Sequence, residues 1–177
     1  MRGSILILGL ALGACVSPAS VTTAQLVAAD AATSLAVGDR VTQMVSTQSA
    51  PEGMDPVINL TLRHSDGRTL RFQEGNHTQH DLMAQRAGGP LAQIMGLAGQ
   101  EVTTLYHATD NDGAGSNAFF CGPQGPAAIG KHEGADGVIQ VVGLRQEIEF
   151  EARPDGEVEA LPYSPDQVCA RLRFRRG

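Results

Sequence analysis

Alternation of apolar and polar side chains predicts a pair of strands near the middle of the chain. Every second residue is apolar over 58–63 and again over 69–73. A period of two is typical of half-buried strands. A three-residue loop over 65–67 places Leu62 opposite Leu70 and Leu60 opposite Phe72, whereas a two-residue loop would mix the two faces. We therefore predict a hairpin whose loop ends with Gly67 in the left-handed region.

Weaker patterns of the same kind predict further strands on both sides of this hairpin. Turn-rich segments separate several of them, and short connections favour antiparallel neighbours over parallel crossovers. The predicted strands cover residues 40–48, 102–108, 117–121, 127–133, 138–145, 147–153 and 168–176.

Helical spacing replaces alternation between residues 78 and 99. Thr78 with Asp81 three positions later is close to a capping box, which begins a first helix. Gly88 and Gly89 end that helix, and Pro90 suits the first turn of a second one. The apolar face of the second helix consists of Leu91, Ile94, Met95 and Ala98. Gly99 could end this helix. We interpret four apolar residues of the two helices as core, namely Leu82, Met83, Ile94 and Met95. The alternative is that they form an adaptable groove for a partner.

These elements predict the fold class α+β, with mostly antiparallel β-sheet or a small barrel and one helical insertion at about 78–99. The chain has 177 residues, which suits one domain. Its core must be largely aliphatic, because the chain has five Phe, two Tyr and no Trp. We find no internal repeat.

Two predicted strands near the carboxyl end carry complementary charge. Acidic residues alternate with apolar ones in the first strand, and arginines do so in the second: Glu147, Glu149 and Glu151 against Arg171, Arg173 and Arg175. Antiparallel pairing would set the carboxylates opposite the guanidinium groups and so fix the register. The alternative is a charged surface for a partner.

The amino-terminal segment has the features of an export signal. Arg2 is followed by about eight apolar residues, which as a helix reach about 12 Å and cannot cross a hydrocarbon core of about 30 Å. Small residues then precede Cys15, as they do at a cleavage site. The segment Leu12-Gly13-Ala14-Cys15 resembles the lipobox of bacterial lipoproteins.

This resemblance implies that Cys15 carries diacylglycerol, that the chain is cleaved before it, and that the new amino terminus is acylated. An ordinary secretory signal with a chance cysteine is the alternative. We predict a signal peptide over 1–14, a lipidated Cys15 with a tether over 15–34 that includes a weak helix near 25–32, and a single β-rich domain over 35–177. By resemblance to enterobacterial lipoproteins, Val16 in place of Asp favours sorting to the outer membrane, and thus a location at the periplasmic face of that membrane in the cell envelope.

Charge excludes one class of partner. The net charge is −6, from 13 basic and 19 acidic residues. Nucleic acid requires a basic face, so we predict no nucleic-acid partner. The chain also lacks a polybasic run that would hold it on anionic lipid. No cofactor-binding motif is found, and we predict no cofactor.

The two remaining cysteines are predicted to form a disulfide. The exported compartment is oxidising, so Cys121 and Cys169 are a natural pair, with two buried thiols as the alternative. The bridge would close a loop of about 48 residues and stabilise the fold by about 4 kcal/mol. Strand alternation puts Cys169 on the same side as Arg171, so the bridge requires a bulge to reach the core.

His77, His80 and Asp81 form the best candidate metal site, with His107, Asp110 or Asp112 as a further ligand. Imidazole and carboxylate suit such ions as Zn²⁺. Polar loop and capping residues are the alternative interpretation. Lys131 is the only lysine and a candidate reactive amine.

Our leading hypothesis is a lipid-anchored envelope protein that works by binding and has no catalytic residues. The membrane is its first partner, through the anchor, and the second is an envelope protein or peptidoglycan. The alternatives are a metal-dependent hydrolase and an inhibitor of an envelope-targeting hydrolase such as lysozyme.

Overall fold

The computed structural model describes residues 20–29, 40–50, 55–76, 78–99, 101–109, 121 and 125–177. Within these residues the chain forms ten strands, two short α-helices and one 3₁₀ turn. The strands are β1 Ser20–Ala29, β2 Val41–Ser49, β3 Val57–His64, β4 Thr69–Glu74, β5 Thr104–Thr109, β6 Ala128–Glu133, β7 Val138–Leu144, β8 Phe150–Ala152, β9 Val158–Ala160 and β10 Val168–Arg176. The helices are α1 Gln79–Gln85 and α2 Pro90–Met95, and the 3₁₀ turn is Pro165–Gln167.

Eight of the strands close into an antiparallel barrel. Their order around the barrel is β1, β10, β7, β6, β5, β4, β3, β2, and β2 pairs again with β1. Strands β8 and β9 form a separate two-stranded hairpin. The predicted small antiparallel barrel with helices between 78 and 99 agrees with this architecture. Every described element lies between Ser20 and Gly177, so the chain from residue 16 onward contains the whole described fold.

Side chains fill the barrel interior. Phe72, Tyr106 and Phe174 are the largest of them, and each is at most 1% exposed. Aliphatic residues from seven of the eight barrel strands complete the cluster. An eight-stranded barrel is just wide enough for its own side chains to fill it. The interior is therefore a core.

The central hairpin has the predicted register. Leu62 pairs with Leu70 and Leu60 with Phe72 across β3 and β4. The His64 N–H donates to the Arg68 carbonyl at 2.9 Å, which leaves three residues in the loop. Gly67 has φ +93°, the left-handed conformation that this loop requires. The prediction of a three-residue turn is confirmed.

The weak helix predicted near 25–32 is wrong for residues 25–29, with 30–32 outside the described residues, and the predicted tether over 15–34 is wrong for residues 20–29. These residues form β1, which pairs with β2 on one side and β10 on the other. Ala24 and Leu26 point into the core, and they alternate with the exposed Thr23, Gln25 and Val27. Small side chains made the alternation hard to see, and only barrel closure gives this strand two partners. The domain thus begins before residue 35, and the predicted signal peptide and Cys15 lie outside the described residues.

The predicted pairing of the acidic and arginine strands is also wrong. Strand β10 pairs with β7, where Arg173 is opposite Gln140 and Arg175 opposite Val138. Strand β7 is buried along most of its length, because the barrel interior covers one face and α2 the other. It is therefore the better partner for β10. The acidic segment leaves the barrel and only its last part, β8, is a strand.

The two helices cover the outer face of β5, β6 and β7. Leu91 of α2 lies directly over Gly130 of β6, where an added Cβ would be 2.5 Å from the Leu91 Cδ1. Leu105 and Val142 flank Gly130 on the neighbouring strands and complete this second apolar cluster. The strand glycine thus lets the helix approach the sheet closely. Among the described residues no helix is long and apolar enough to cross a membrane.

The helix boundaries agree in part with the predictions. Thr78 and Asp81 form the predicted capping box of α1, and Pro90 occupies the first turn of α2. Helix α2 ends at Met95 with the left-handed Gly96 as its cap, three residues before the predicted Gly99. In the set predicted as core, Ile94 and Met95 are buried, Met83 is half-buried and Leu82 is 60% exposed.

The predicted disulfide is present between Cys121 and Cys169, with the Cα atoms 5.0 Å apart. The register of β10 and β7 shifts between Val168 and Ala170, which is the bulge that the bridge requires. Cys169 therefore packs against the barrel core. Of the strand predicted over 117–121, only Cys121 belongs to the described residues.

We predict that Gly130→Ala lowers the free energy of unfolding by about 1–3 kcal/mol, because the new Cβ overlaps Leu91. Urea denaturation followed by circular dichroism measures the change. Gly99→Ala is the control and should be nearly neutral, since an added Cβ there meets no atom within 4 Å. In a double mutant with Leu91→Ala, the Gly130→Ala cost should shrink. Equal costs in both backgrounds would contradict the packing described above.

Candidate binding site

A groove separates the helices from the β8–β9 hairpin, and we call it the hairpin groove. Its volume is about 620 Å³. Apolar, amide and charged side chains line it, among them Met83, Phe150, Leu161, Tyr163, Gln79, Gln93, Arg86, Arg153, Glu157 and Glu159. A smaller recess of about 230 Å³ adjoins it, and Glu147 reaches the lining of that recess. Both recesses share Pro90 and the segment 161–163.

A ring stack fixes one wall of the hairpin groove. The His80 ring in α1 lies parallel to the Phe150 ring in β8, with centroids 4.9 Å apart and planes 14° apart. Such a stack contributes about 0.5–1.5 kcal/mol beyond the buried area. It joins the short hairpin to the first helix, so the groove has a defined width.

A charged cluster lies where the helices, the barrel and the acidic segment meet. His107 of β5 approaches the Asp81 Oδ1 with its Nε2 at 2.7 Å and the Glu147 Oε1 with its Nδ1 at 2.8 Å. Asp81 also accepts the Thr78 N–H through its Oδ2 at 3.0 Å. One carboxylate therefore caps α1 and binds the barrel at the same time.

The two carboxylates favour the protonated form of His107. Burial opposes this, but the hydrogen bonds and charges of Glu147 and Asp81 outweigh it and raise the pKa of His107. Burial likewise opposes ionisation of Asp81, but hydrogen bonds from His107 and Thr78 lower the pKa of that carboxyl. With both ring nitrogens protonated, each donates to a carboxylate.

Three residues, Gly75, Gln85 and Thr103, position this cluster. A Cβ added at Gly75 would be 2.5 Å from the His107 Nε2, so only glycine leaves room for the ring. The Gln85 amide nitrogen donates to the Gly75 carbonyl, and its Oε1 accepts the Leu105 N–H at 3.1 Å. The Thr103 hydroxyl donates to the Gln85 carbonyl at 3.2 Å. Together these bonds hold α1 against β4 and β5.

The candidate metal ligands are only partly brought together. Asp81 meets His107, but His80 stacks on Phe150, and His77, Asp110 and Asp112 lie outside the described residues. In the part of the chain that the structure describes, no group of three His, Cys, Asp or Glu side chains is placed to hold a metal ion. The predicted ligand set thus serves, where it is described, as a cap, a stack and an ion pair.

Three further titratable side chains are wholly or partly buried in the fold, namely Tyr106, Lys131 and His132. Burial raises the pKa of the Tyr106 hydroxyl and lowers the pKa of the Lys131 ammonium. His132 is buried, with its Nδ1 3.0 Å from the Val102 carbonyl. None of the three lines the hairpin groove.

Sequence reasoning missed Glu147 and the aromatic residues of the hairpin groove. The alternation predicts that Glu147 belongs to a charged ladder. Neither chain distance nor pattern indicates that it meets His107, which is 40 positions away in the chain. Tyr163 had a weak signal, since it is one of only two tyrosines and stands in a polar, proline-containing segment.

No protein-family model, curated protein or solved structure matches this chain. The fold defines its class as a small closed antiparallel barrel with a groove between helices and hairpin on its outside.

We predict that His107→Gln destabilises the fold in a pH-dependent manner. The pKa of His107 is raised above 6.5, so the charged cluster stabilises fully below about pH 6.5 and less as pH rises through the folded-state value. The pKa of Asp81 is lowered below 3.8, so its contribution is full above about pH 4 and is lost on further acidification. The variant should lose about 2 kcal/mol of unfolding free energy near pH 6 and clearly less near pH 9.

Chemical denaturation at the two pH values measures this difference. Thr103→Val is the control, since the Thr103 hydroxyl donates to the Gln85 carbonyl in the same region and does not titrate. Its cost should be the same at both values. A pH-independent cost for His107→Gln would contradict the charged cluster.

Proposed function

We propose that this chain is a lipid-anchored bacterial envelope protein that acts, without catalysis, by binding a partner protein in the hairpin groove. The lipobox-like segment that ends at Cys15 supports the anchor and the envelope location, at the periplasmic face of the outer membrane. The shape and lining of the hairpin groove support the binding role.

The observation that supports the binding role is the position of the hairpin groove on the outside of a filled barrel. The barrel interior is filled, so a ligand must bind on the outside. The hairpin groove is concave, as ligand sites usually are, and the rings of Phe150 and Tyr163 share its lining with amide and charged side chains. Its walls rest on the barrel through the His107 cluster and the Leu91 contact.

Binding is favoured over metal-dependent hydrolysis by the state of His107. A metal ligand or a general base needs a neutral imidazole with a free lone pair. Both nitrogens of His107 instead face carboxylate oxygens. His80 is engaged in a stack, which leaves Asp81 without a described partner ligand.

The charge of the hairpin indicates the kind of partner. Residues 147–159 contain six carboxylates and one arginine, at Glu147, Glu149, Glu151, Asp155, Glu157, Glu159 and Arg153. Arg153 is paired with Asp155 and Glu159. This acidic border favours a protein segment with an apolar side chain beside basic ones. Peptidoglycan carries carboxylates of its own and fits less well. Inhibition of a hydrolase would be one case of the same binding mode.

The anchor is tested by mass spectrometry of the protein isolated from bacterial membranes. The expected amino terminus is Cys15 with a diacylglyceryl thioether and an N-acyl chain. Cys15→Ser should leave the precursor uncleaved. An intact Met1 in the wild-type protein, or a Cys15 thiol without lipid, would contradict the proposal.

The hairpin groove is tested by photo-crosslinking in cells. A photoreactive phenylalanine analogue at position 163 should give an adduct of defined mass that contains another envelope protein. The same analogue at Thr47, on the outer side of β2, is the control and should not. Phe150→Ala should abolish the adduct at position 163 while the barrel stays folded. If position 163 gives no adduct, or gives one that Phe150→Ala leaves unchanged, the groove is not the binding site.

A further inference from the structure

Arginines gather on one outer side of the barrel, although the chain as a whole is acidic. We call this side the basic face; it is the outer surface of β10, β1, β2, β3 and β4. Its exposed arginines are Arg63, Arg71, Arg173 and Arg175. Strands β10, β1, β2 and β3 contain no acidic residue, and the only one in β4 is Glu74 at its end.

Barrel register brings these arginines close together. Arg175 pairs with Gln25, Gln25 with Gln43, and Gln43 with Arg63, so one row crosses four strands. The two arginines at its ends are about 14 Å apart, at roughly 4.8 Å for each strand. Arg71 is the diagonal neighbour of Arg63 across β3 and β4, about 7 Å away. Arg173 is two residues from Arg175 in β10, which is also about 7 Å.

The four guanidinium groups make no polar side-chain contact of their own within the described part of the fold. No ion pair or side-chain hydrogen bond joins any of them to a residue that the structure describes. Other arginines are occupied, since Arg171 donates to the Ile94 carbonyl and Arg176 pairs with Glu133 at 2.7 Å. The basic face also holds a shallow concavity of about 510 Å³, lined by Arg63 and Arg71 with threonines and glutamines and by no carboxylate.

Apolar residues lie in the middle of this surface. Val21 and Val27 of β1 are 64% and 55% exposed, and they are two of the few large apolar side chains exposed in the described structure. They lie on the outer side of the strand, with Thr23 and Gln25 between them. Arginines around exposed valines suit a surface that offers phosphates with apolar chains beneath them.

The chain itself leads to this surface. Only four residues lie between Cys15 and Ser20, where β1 begins, so a fully extended connection of five Cα–Cα steps reaches at most about 18 Å. Strand β1 lies inside the basic face, between β10 and β2. An acyl chain on Cys15 would therefore hold this side of the barrel near the bilayer.

We propose that the basic face lies on the membrane surface and binds the phosphate headgroups of anionic lipids. This inference rests on the proposed lipid anchor and adds a second, protein-based contact that orients the domain. The acidic hairpin and its groove extend from another side of the barrel and remain open to a partner. The net charge of −6 does not prevent docking, because charges more than about 10 Å from the lipid are largely screened.

The test uses the chain from Val16 onward, without acyl groups, so that its result does not depend on lipidation. Co-sedimentation compares vesicles of phosphatidylcholine with vesicles that also contain phosphatidylglycerol. The chain should bind only the anionic vesicles and dissociate as salt is raised. Arg71→Gln with Arg175→Gln should weaken binding about 25-fold, at about fivefold for each charge near the surface.

Two control variants separate the basic face from net charge and from damage to the fold. Arg71→Lys with Arg175→Lys keeps both charges and should bind within about twofold of the unchanged chain. Arg86→Gln with Arg153→Gln removes the same charge from the helix and hairpin side and should also bind normally. Circular dichroism confirms that all variants remain folded.

Equal binding to both kinds of vesicle, or equal binding by the Gln and Lys variants, would overturn the proposal. Self-association at low salt that needs Arg71 and Arg175, without vesicle binding, would also overturn it and assign the face to a second copy. The mass spectrometry of Cys15 is a separate measurement, so failure of the anchor and failure of the basic face are distinguishable.

Discussion

Closure of the barrel by β1 is the constraint on which the rest of this structure depends. Without β1, strands β2 and β10 would each expose a row of unpaired backbone groups at an edge. Closure also encloses the interior on all sides, which allows a core with few aromatic side chains to exclude water. Both the packed interior and the arginine row exist only because this strand connects the two ends of the sheet.

The outer layer depends on two contacts of different kinds. Leu91 packs into the space above Gly130, and the protonated His107 holds Asp81 and Glu147 together. The first contact is apolar and insensitive to pH, whereas the second depends on a proton. Together they join α1, α2 and the start of the acidic segment to the barrel, and so they set the walls of the hairpin groove.

Charge is segregated on this small domain in a way that the net value hides. Carboxylates cluster on the β8–β9 hairpin, and arginines without an ion pair to any described residue cluster on the strands around β1. In the proposed arrangement, the lipid anchor and the basic face hold one side of the barrel against lipid. The hairpin groove on another side is then open to a partner. Neither side requires chemistry at a catalytic residue, which is consistent with a binding role.

The sequence by itself determined the local features. Alternation and turn chemistry were sufficient for the β3–β4 register, the Thr78 capping box and most of the strands after β1, because these depend on neighbours in the chain. Strand β9 is not among the predicted strands. It also indicated the pairing of Cys121 with Cys169 and that this pairing needs a bulge. Only the tertiary structure decided that β1 is a strand, that β10 pairs with β7 rather than with the acidic segment, and that His107 meets Asp81 and Glu147. The reason is physical: these contacts join residues far apart in the chain, and their partners are selected by closure and burial, which no local pattern encodes.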